Sequence, residues 1–310
     1  MTLRLGTRGS ALALVQSRTV ADGLTAATGE VVELVEIITD GDRSPAPVPQ
    51  LGVGVFVSAL REALHAKEID FAVHSYKDLP TAPADGLSLA AVPPRDDPRD
   101  ALITRDGRLL AELAPGTSVG TGAPRRVAQV HALGRGLQCV RVRGNVDTRL
   151  RKLADGEFDA LVLATAGLRR LGRAAEITEI LDPMLMLPAP AQGALAVECR
   201  AADTSLVELL GCLDDEHTRA AVTAERSLLA ALEAGCSAPV AALADVGDTD
   251  NGEFEIYLRG AVFSVDGGFA VRLSATAAIT DAAAVGYRLA AELLAEGAET
   301  VLGVPHDPHP

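Results

Sequence analysis

Through residues 3–200, short apolar runs alternate with longer stretches in which apolar residues recur every three or four positions. Residues 3–6 read as a strand, and Ser10 stands where an N-cap belongs for a helix over 11–27. A β-branched run over 31–39 predicts the next strand, and a helical pattern follows over 56–66. Residues 69–74 read as a buried strand that opens onto Ser75-Tyr76-Lys77-Asp78. Between them, 40–54 is rich in Gly and Pro and predicts a long loop, a candidate for mobility. The order is that of βαβ units, which predicts a mostly parallel sheet.

A Pro-bearing crossing, Pro93-Pro94-Arg95-Asp96-Asp97-Pro98, leads into a second series. Strands are expected at 118–121, 137–142 and 160–164, helices at 124–133 and 145–154, and a short helix around 168–171. A second crossing, Pro188-Ala189-Pro190, precedes a strand at 194–198. Two crossings predict an α/β fold of two lobes joined by two segments: residues 1–94 with 194–212 in the first lobe, 98–188 in the second. Ligands of such folds bind beyond the carboxyl ends of the strands. After Gly211 the pattern changes to a helix over 216–232, a turn, antiparallel strands at 241–246, 253–262 and 268–276 with Asp266-Gly267 as a hairpin signal, and a helix over 282–296 stopped by Gly297. That is a small α+β domain over 216–303, with 304–310, including His306 and His309, expected to be a disordered tail.

Composition narrows the chemistry. The 310 residues are 48% apolar but only 3% aromatic, with no Trp, so aromatic stacking platforms for nucleic acid are not expected. The net charge of −14 also argues against a nucleic-acid scaffold. Within this acidic chain, residues 115–175 hold eleven Arg or Lys against four acids, a balance of +7. Arg-rich coding and solvated helix faces account for part of that; a local receptor for a small polyanion accounts for the rest. No membrane-spanning apolar run or secretory h-region is visible, so a cytoplasmic protein is expected. The cysteines Cys139, Cys199, Cys212 and Cys236 lack metal or redox spacing. The first three read as small buried apolar residues.

Candidate chemistry clusters at predicted strand ends. Gly120-Thr121-Gly122-Ala123-Pro124-Arg125-Arg126 is a strand end, a Gly turn and a helix start with Pro in its first turn, an anion-binding arrangement. Paired guanidiniums can grip carboxylates in a fork. Arg141-Val142-Arg143-Gly144-Asn145 with Arg149 repeats the arrangement. Arg141 and Arg143 share a face by alternation, and a cleft position is favoured over an exposed edge strand. Arg8-Gly9-Ser10 ends the first strand in the same way. Lys77 beside Asp78 is either an anion clamp next to a proton-handling carboxylate or a turn in which Asp78 caps backbone N–H groups; spacing leaves both open. Cys236, in a Gly-Cys-Ser-Ala-Pro turn, is a candidate nucleophile without a His partner.

Taken together these segments resemble the porphobilinogen deaminase (hydroxymethylbilane synthase) family. The carriers are Gly6-Thr7-Arg8-Gly9-Ser10, Phe56-Val57, the residues from His74 to Pro80, Asp97-Pro98-Arg99-Asp100-Ala101, the Gly120 to Arg126 turn, Arg143-Gly144-Asn145 with Thr148-Arg149, Ala166-Gly167-Leu168, Gln192-Gly193-Ala194 and Gly235-Cys236. The resemblance implies two periplasmic-binding-protein-like (type II) lobes with a two-segment hinge and a small α+β domain bearing the cysteine. It implies a dipyrromethane cofactor held by a thioether to Cys236. Four porphobilinogen units would be added with loss of ammonia, and water would release a linear tetrapyrrole. Asp78 would be the catalytic carboxylate, stabilising the azafulvene cation left by ammonia. Ser75, Lys77, Thr121, Arg125, Arg126, Arg143 and Arg149 would bind the cofactor; Arg8, Ser10, Arg143, Arg149, Arg170 and Gln192 would bind substrate. A monomer with no metal, nucleic acid or membrane partner is expected. A binding protein for a polyanion without catalysis, and a nucleotide-using enzyme, are the competing readings. Departures from the usual pattern are Gly122-Ala123 in place of two serines, Val53 in place of a Lys, and Ala191 in place of a Gly.

Overall fold

Apolar alternation and capping residues carry most of the observed elements. The computed structural model describes residues 2–37, 55–232, 238–249 and 251–302. In chain order these hold β1 (Thr2–Thr7), α1 (Ala11–Thr28), β2 (Val31–Glu36), α2 (Val55–His65), β3 (Phe71–Ser75), β4 (Leu87–Ala91) and β5 (Asp100–Thr104). There follow β6 (Ser118–Thr121), α3 (Pro124–Ala132), β7 (Gln138–Arg141), α4 (Val146–Ala154), β8 (Ala160–Ala164), α5 (Thr165–Arg170), β9 (Glu179–Ile180), β10 (Leu195–Arg200) and α6 (Thr204–Leu210). The last part holds α7 (Glu216–Ala231), β11 (Val240–Asp248), β12 (Phe254–Phe263), β13 (Ala270–Ala278), α8 (Ala282–Leu293) and α9 (Glu299–Leu302). The loop expected at 40–54, Val53, Cys236 and the tail at 304–310 lie outside the described residues.

The chain divides into two units, residues 1–96 with 193–219 and residues 97–192 with 220–310. In the first, strands run in the order β2-β1-β3-β10-β4. β1 pairs in parallel with β2 and β3, whereas β10, on the returning chain, is antiparallel to both β3 and β4. Leu5, Leu24 and Phe71 sit in its α1-side core; Leu60, Leu64 and Ile69 form the core on the other face, under α2. In the second unit the order is β7-β6-β8-β5-β9, with β5 antiparallel to β8. The expected mostly parallel sheet is therefore corrected to two mixed sheets, each made so by a strand next to a crossing. A strand arriving straight from an extended crossing has no helix to reverse its direction, so it enters antiparallel.

Residues 220–302 build the α+β part of the second unit. The three antiparallel strands β11, β12 and β13 bury one face under α7 and α8 through Leu228, Leu258 and Leu289. Gly260 lets the helices pack closely there: a Cβ would lie 2.6 Å from the Leu228 side chain, which would have to shift. The other face, through Ala241, Leu243, Ala261 and Phe263, packs on Ala128 of α3 and Leu187. Gly297 interrupts the last helix as expected, at φ 100°, but the chain resumes helical structure in α9 rather than stopping. Ala191 sits fully buried at φ 60°, in the left-handed region that penalises a side chain. Its N–H donates to Glu225 Oε2 of α7 at 2.5 Å, and Glu225 Oε1 accepts from Ala244 N–H at 2.8 Å.

Candidate active site

In the second unit, the parallel strands β7, β6 and β8 end side by side, with Thr121 in register with Arg141. Each strand leads into a helix, so free N–H groups gather at one sheet edge. Ala123 offers α3 no side-chain cap, and Pro124 starts the helix without needing a donor partner. Asn145 caps α4, its Oδ1 accepting from Thr148 N–H at 2.9 Å. Gly144, at φ 108°, makes the preceding turn, and Arg149 closes it by donating from Nε to Gly144 O at 2.7 Å. Arg143 is exposed beside this turn and Arg149 half-buried.

Arg125 and Arg126, in the first turn of α3, point inward rather than to solvent, at 4% and 5% exposure. Both pair with Asp100 at 2.8 Å, and Asp100 is fully buried at the start of β5. Arg125 also donates to Leu187 O at 2.5 Å and Arg126 to Val162 O at 3.1 Å. Gln192 donates from Nε2 to Asp100 Oδ1 at 2.8 Å and to Pro98 O at 2.7 Å. Burial pushes the Asp100 carboxyl up, but Arg125, Arg126 and hydrogen bonds from Arg126 and Gln192 outweigh it, holding it far below the usual carboxylate range. Burial draws Arg125 down against the pull of Asp100. Two guanidiniums against one carboxylate leave a buried excess of positive charge under the strand ends, suited to an anion. Thr121, 1% exposed, accepts from Ala123 N–H at 3.4 Å in the same turn.

In the first unit, β1 and β3 end side by side in parallel. Beyond β1, Arg8 is half-buried, and Ser10 caps α1 by accepting from Ala13 N–H at 3.3 Å. Beyond β3, Tyr76, Lys77 and Asp78 form one tight 3-10 turn in which Tyr76 is buried, Lys77 half-buried and Asp78 exposed. The turn is fixed by Tyr76 N–H donating to Ala194 O at 3.1 Å. Ser75 Oγ accepts from the Gln16 side chain at 2.9 Å.

Sequence reading named Asp78, Lys77, Ser75, Arg8 and Ser10 in the first unit and Thr121, Arg125, Arg126, Arg143 and Arg149 in the second, and the structure sets each group at strand ends of its own unit. Arg170 is half-buried in the last turn of α5, and Gln192 lies inside the Asp100 cluster. Two expectations are corrected. β7 is an edge strand with Arg141 exposed on it, the arrangement the sequence reading had disfavoured. Cys212 is exposed in a 3-10 turn after α6 rather than buried in a helical run; Cys199 is buried and Cys139 half-buried. Burial pushes both of those thiols up, to about 11. Asp100, Gln16 and Glu198 were given no role from sequence. Gln16 falls on the stripe of Val20 and Leu24, and a polar residue at a core position was its available signal. Among the described residues no group of His, Cys, Asp and Glu could hold a metal, and no helix is long and apolar enough to cross a membrane.

Comparison with known proteins shows the family. A family model described as porphobilinogen deaminase, dipyromethane cofactor binding domain, matches residues 3–208, and one described as porphobilinogen deaminase, C-terminal domain, matches 219–295. The chain is 58% identical over 304 residues to the porphobilinogen deaminase of Nocardia farcinica, covering 97% of this chain and 88% of that one. It is 57% identical over 309 residues to that of Mycobacterium tuberculosis strain H37Rv, covering 98% of this chain and all of the relative. Among solved structures, an ABC transporter periplasmic substrate-binding protein from Coxiella burnetii aligns with 68% of this chain and 91% of its own, at a TM-score of 0.44 and 13% identity, a likeness too distant to carry weight. By both family models and by full-length relatives, the chain belongs to the porphobilinogen deaminase family.

Proposed function

We propose that this chain polymerises four porphobilinogen units, with loss of ammonia, onto a covalently held dipyrromethane and releases hydroxymethylbilane by hydrolysis. The observation that carries the residue assignments is the Arg125-Arg126-Asp100 cluster, whose charges do not cancel. Each pyrrole bears an acetate and a propionate, so cofactor and growing chain are polyanions. Such a group fits a donor set of buried guanidiniums, helix N-termini and hydroxyls.

When bound, the dipyrromethane supplies the nucleophilic pyrrole carbon on which the chain is built. Cys236, outside the described residues, is the proposed thioether anchor. Arg125 and Arg126, already ordered by Asp100, receive carboxylates with little further loss of side-chain freedom. Thr121 and Ser75 add hydroxyl donors, and Lys77 and Arg149 add charge beside their turns. Arg8, Ser10, Arg143 and Arg170 receive the side arms of incoming units. Each charge-assisted hydrogen bond contributes about 1.5–3 kcal/mol. Gln192, expected from sequence to bind substrate, takes a different part in the proposal, ordering Arg126 and Asp100. Asp78, exposed at the tip of its turn, stabilises the cation left as ammonia departs and takes up the proton released when the pyrrole ring regains aromaticity.

Three bodies are proposed, 1–94 with 194–212, 98–188 and 216–303, and a cytoplasmic monomer. Binding without catalysis is set aside with the family assignment. Intact-protein mass tests the reading: the purified protein should be heavier than its sequence by two pyrrole units, and Cys236→Ser should lack that mass. A native, active protein at the bare sequence mass would overturn it.

A further inference from the structure

The chemistry above uses only the exposed side of the Tyr76–Asp78 turn. The strand that delivers the turn carries a buried ionic cluster on one face. Along β3, Phe71 and Val73 face the α1-side core, whereas Ala72 packs under α2 with Leu60 and Leu64. Alternation puts His74 on the α2 face with Ala72, and Ser75 on the α1 face, where Gln16 holds it. On β10, Val197 and Cys199 face α1, so Glu198 also faces α2. Arg61 reaches it from α2, with Nε 3.1 Å from Oε2 and Nη2 2.7 Å from Oε1. His74 Nε2 lies 3.1 Å from Oε2, with both side chains under 7% exposed.

Such a cluster is a poor way to gain stability, because apolar residues of similar volume serve as well or better. A second cluster in the same unit shows the contrast. At the other end of β3, Asp70 pairs with Arg4 at 2.8 Å and with Arg200 at 3.5 Å, and Arg4 is 41% exposed. That cluster secures the start of the strand, away from the turn. The Glu198 cluster lies one residue from Ser75, and β10 binds the turn a second time, since Ala194 receives the Tyr76 N–H.

We propose that Glu198, held by Arg61 and acting through His74, is a positioning residue for the Tyr76–Asp78 turn. Gln16 restrains the end of β3 from one face and the Glu198 cluster from the other, so the turn presents Lys77 and Asp78 in one geometry. This rests on the assignment of Asp78 as the carboxylate that handles protons. Displacements of about 1 Å at a reacting group cost up to about 100-fold in rate.

Two variants test it in the holoenzyme. His74→Phe keeps volume and leaves the Arg61–Glu198 pair intact; Arg61→Gln with Glu198→Gln removes both charges together. Each should lower kcat about tenfold or more while KM for porphobilinogen stays within about twofold and the tethered mass is retained. His74→Gln, whose amide reaches about as far as Nε2, should recover part of kcat. Asp70→Asn should lower Tm and leave kcat unchanged. Unchanged kcat per mole of holoenzyme in both test variants, with Asp78→Asn inactive, overturns the positioning role alone. Normal turnover by Asp78→Asn overturns the Asp78 assignment and the proposal with it.

Discussion

In each unit a buried carboxylate meets two basic side chains, Asp100 in the second and Glu198 in the first, and the surroundings of the two differ. In the second unit Asp100 meets two guanidiniums, Arg125 and Arg126. In the first, Glu198 meets Arg61 and His74, and the imidazole carries charge only when protonated. The Asp100 cluster lies beneath helix N-termini at strand ends and suits a standing anion receptor. The Glu198 cluster lies on the α2 face of the sheet, with His74 two residues before a turn that exposes a carboxylate, and suits a brace. In the proposed assignment, binding and chemistry draw on similar ionic parts, distinguished by what stands next to them.

The comparison breaks most sharply at Asp78. Asp78→Ala should retain the fold and the tethered cofactor yet lower kcat by about 100-fold or more, read by steady-state ammonia release. Near-normal kcat would erase the division between a chemical edge and a binding edge. Next is Arg126→Leu, which leaves Asp100 with one guanidinium and strips donors from Val162 O. Breaking a buried pair costs about 3–5 kcal/mol, so the variant should accumulate mainly without cofactor and melt well below the parent. A stable, fully loaded Arg126→Leu protein would show that the cluster is not the receptor.

Acid should separate the two clusters. Burial pushes the Glu198 carboxyl up, but His74 and Arg61 pull it down from 4.5 to about 2. A lowered folded pKa gives stability that is complete above the unfolded value and declines as pH falls toward the folded one. The Glu198 contribution is therefore lost between about pH 4.5 and 2. Asp100 is held lower still, so its contribution outlasts it. Hydrogen exchange on acidification should open peptides of β3, β10 and α2 before those of β5 and α3; the reverse order would contradict the assignment. The smallest effect concerns Ala191, held at φ 60°. Ala191→Gly relieves a left-handed strain of about 1 kcal/mol, partly offset by unfolded-state entropy. Tm should rise by about 2 °C with kcat unchanged.

What could be read from sequence follows the range of the interactions. The β6–α3 turn was legible because a strand pattern, Gly122 and Pro124 act within a few residues of one another. Ser10 and Asn145 were placed at helix starts by the same local logic. β4 and β5 were missed because they flank the Pro-rich crossing, where turn signals mask short apolar runs. Arg125 and Arg126 were found as anion receivers, but their partner Asp100 is a distant position whose burial depends on β5 lying antiparallel beside β8. Glu198 was invisible for the same reason, since Arg61 and His74 reach it only once β10 returns beside β3. Arg141 was misjudged because strand order, which makes β7 an edge, is not encoded in any local pattern.

The central proposal is that guanidiniums hold an anionic chain and that Asp78 is the carboxylate needed to extend it. The most direct measurement is the intact mass of wild-type, Asp78→Ala and Arg149→Leu proteins after brief mixing with porphobilinogen. Wild type should show a ladder of added pyrrole units on the tethered cofactor. Asp78→Ala should keep the cofactor and add no unit, and Arg149→Leu should stall early in the ladder or carry no cofactor. A complete ladder on Asp78→Ala, formed as fast as on wild type, would contradict the account.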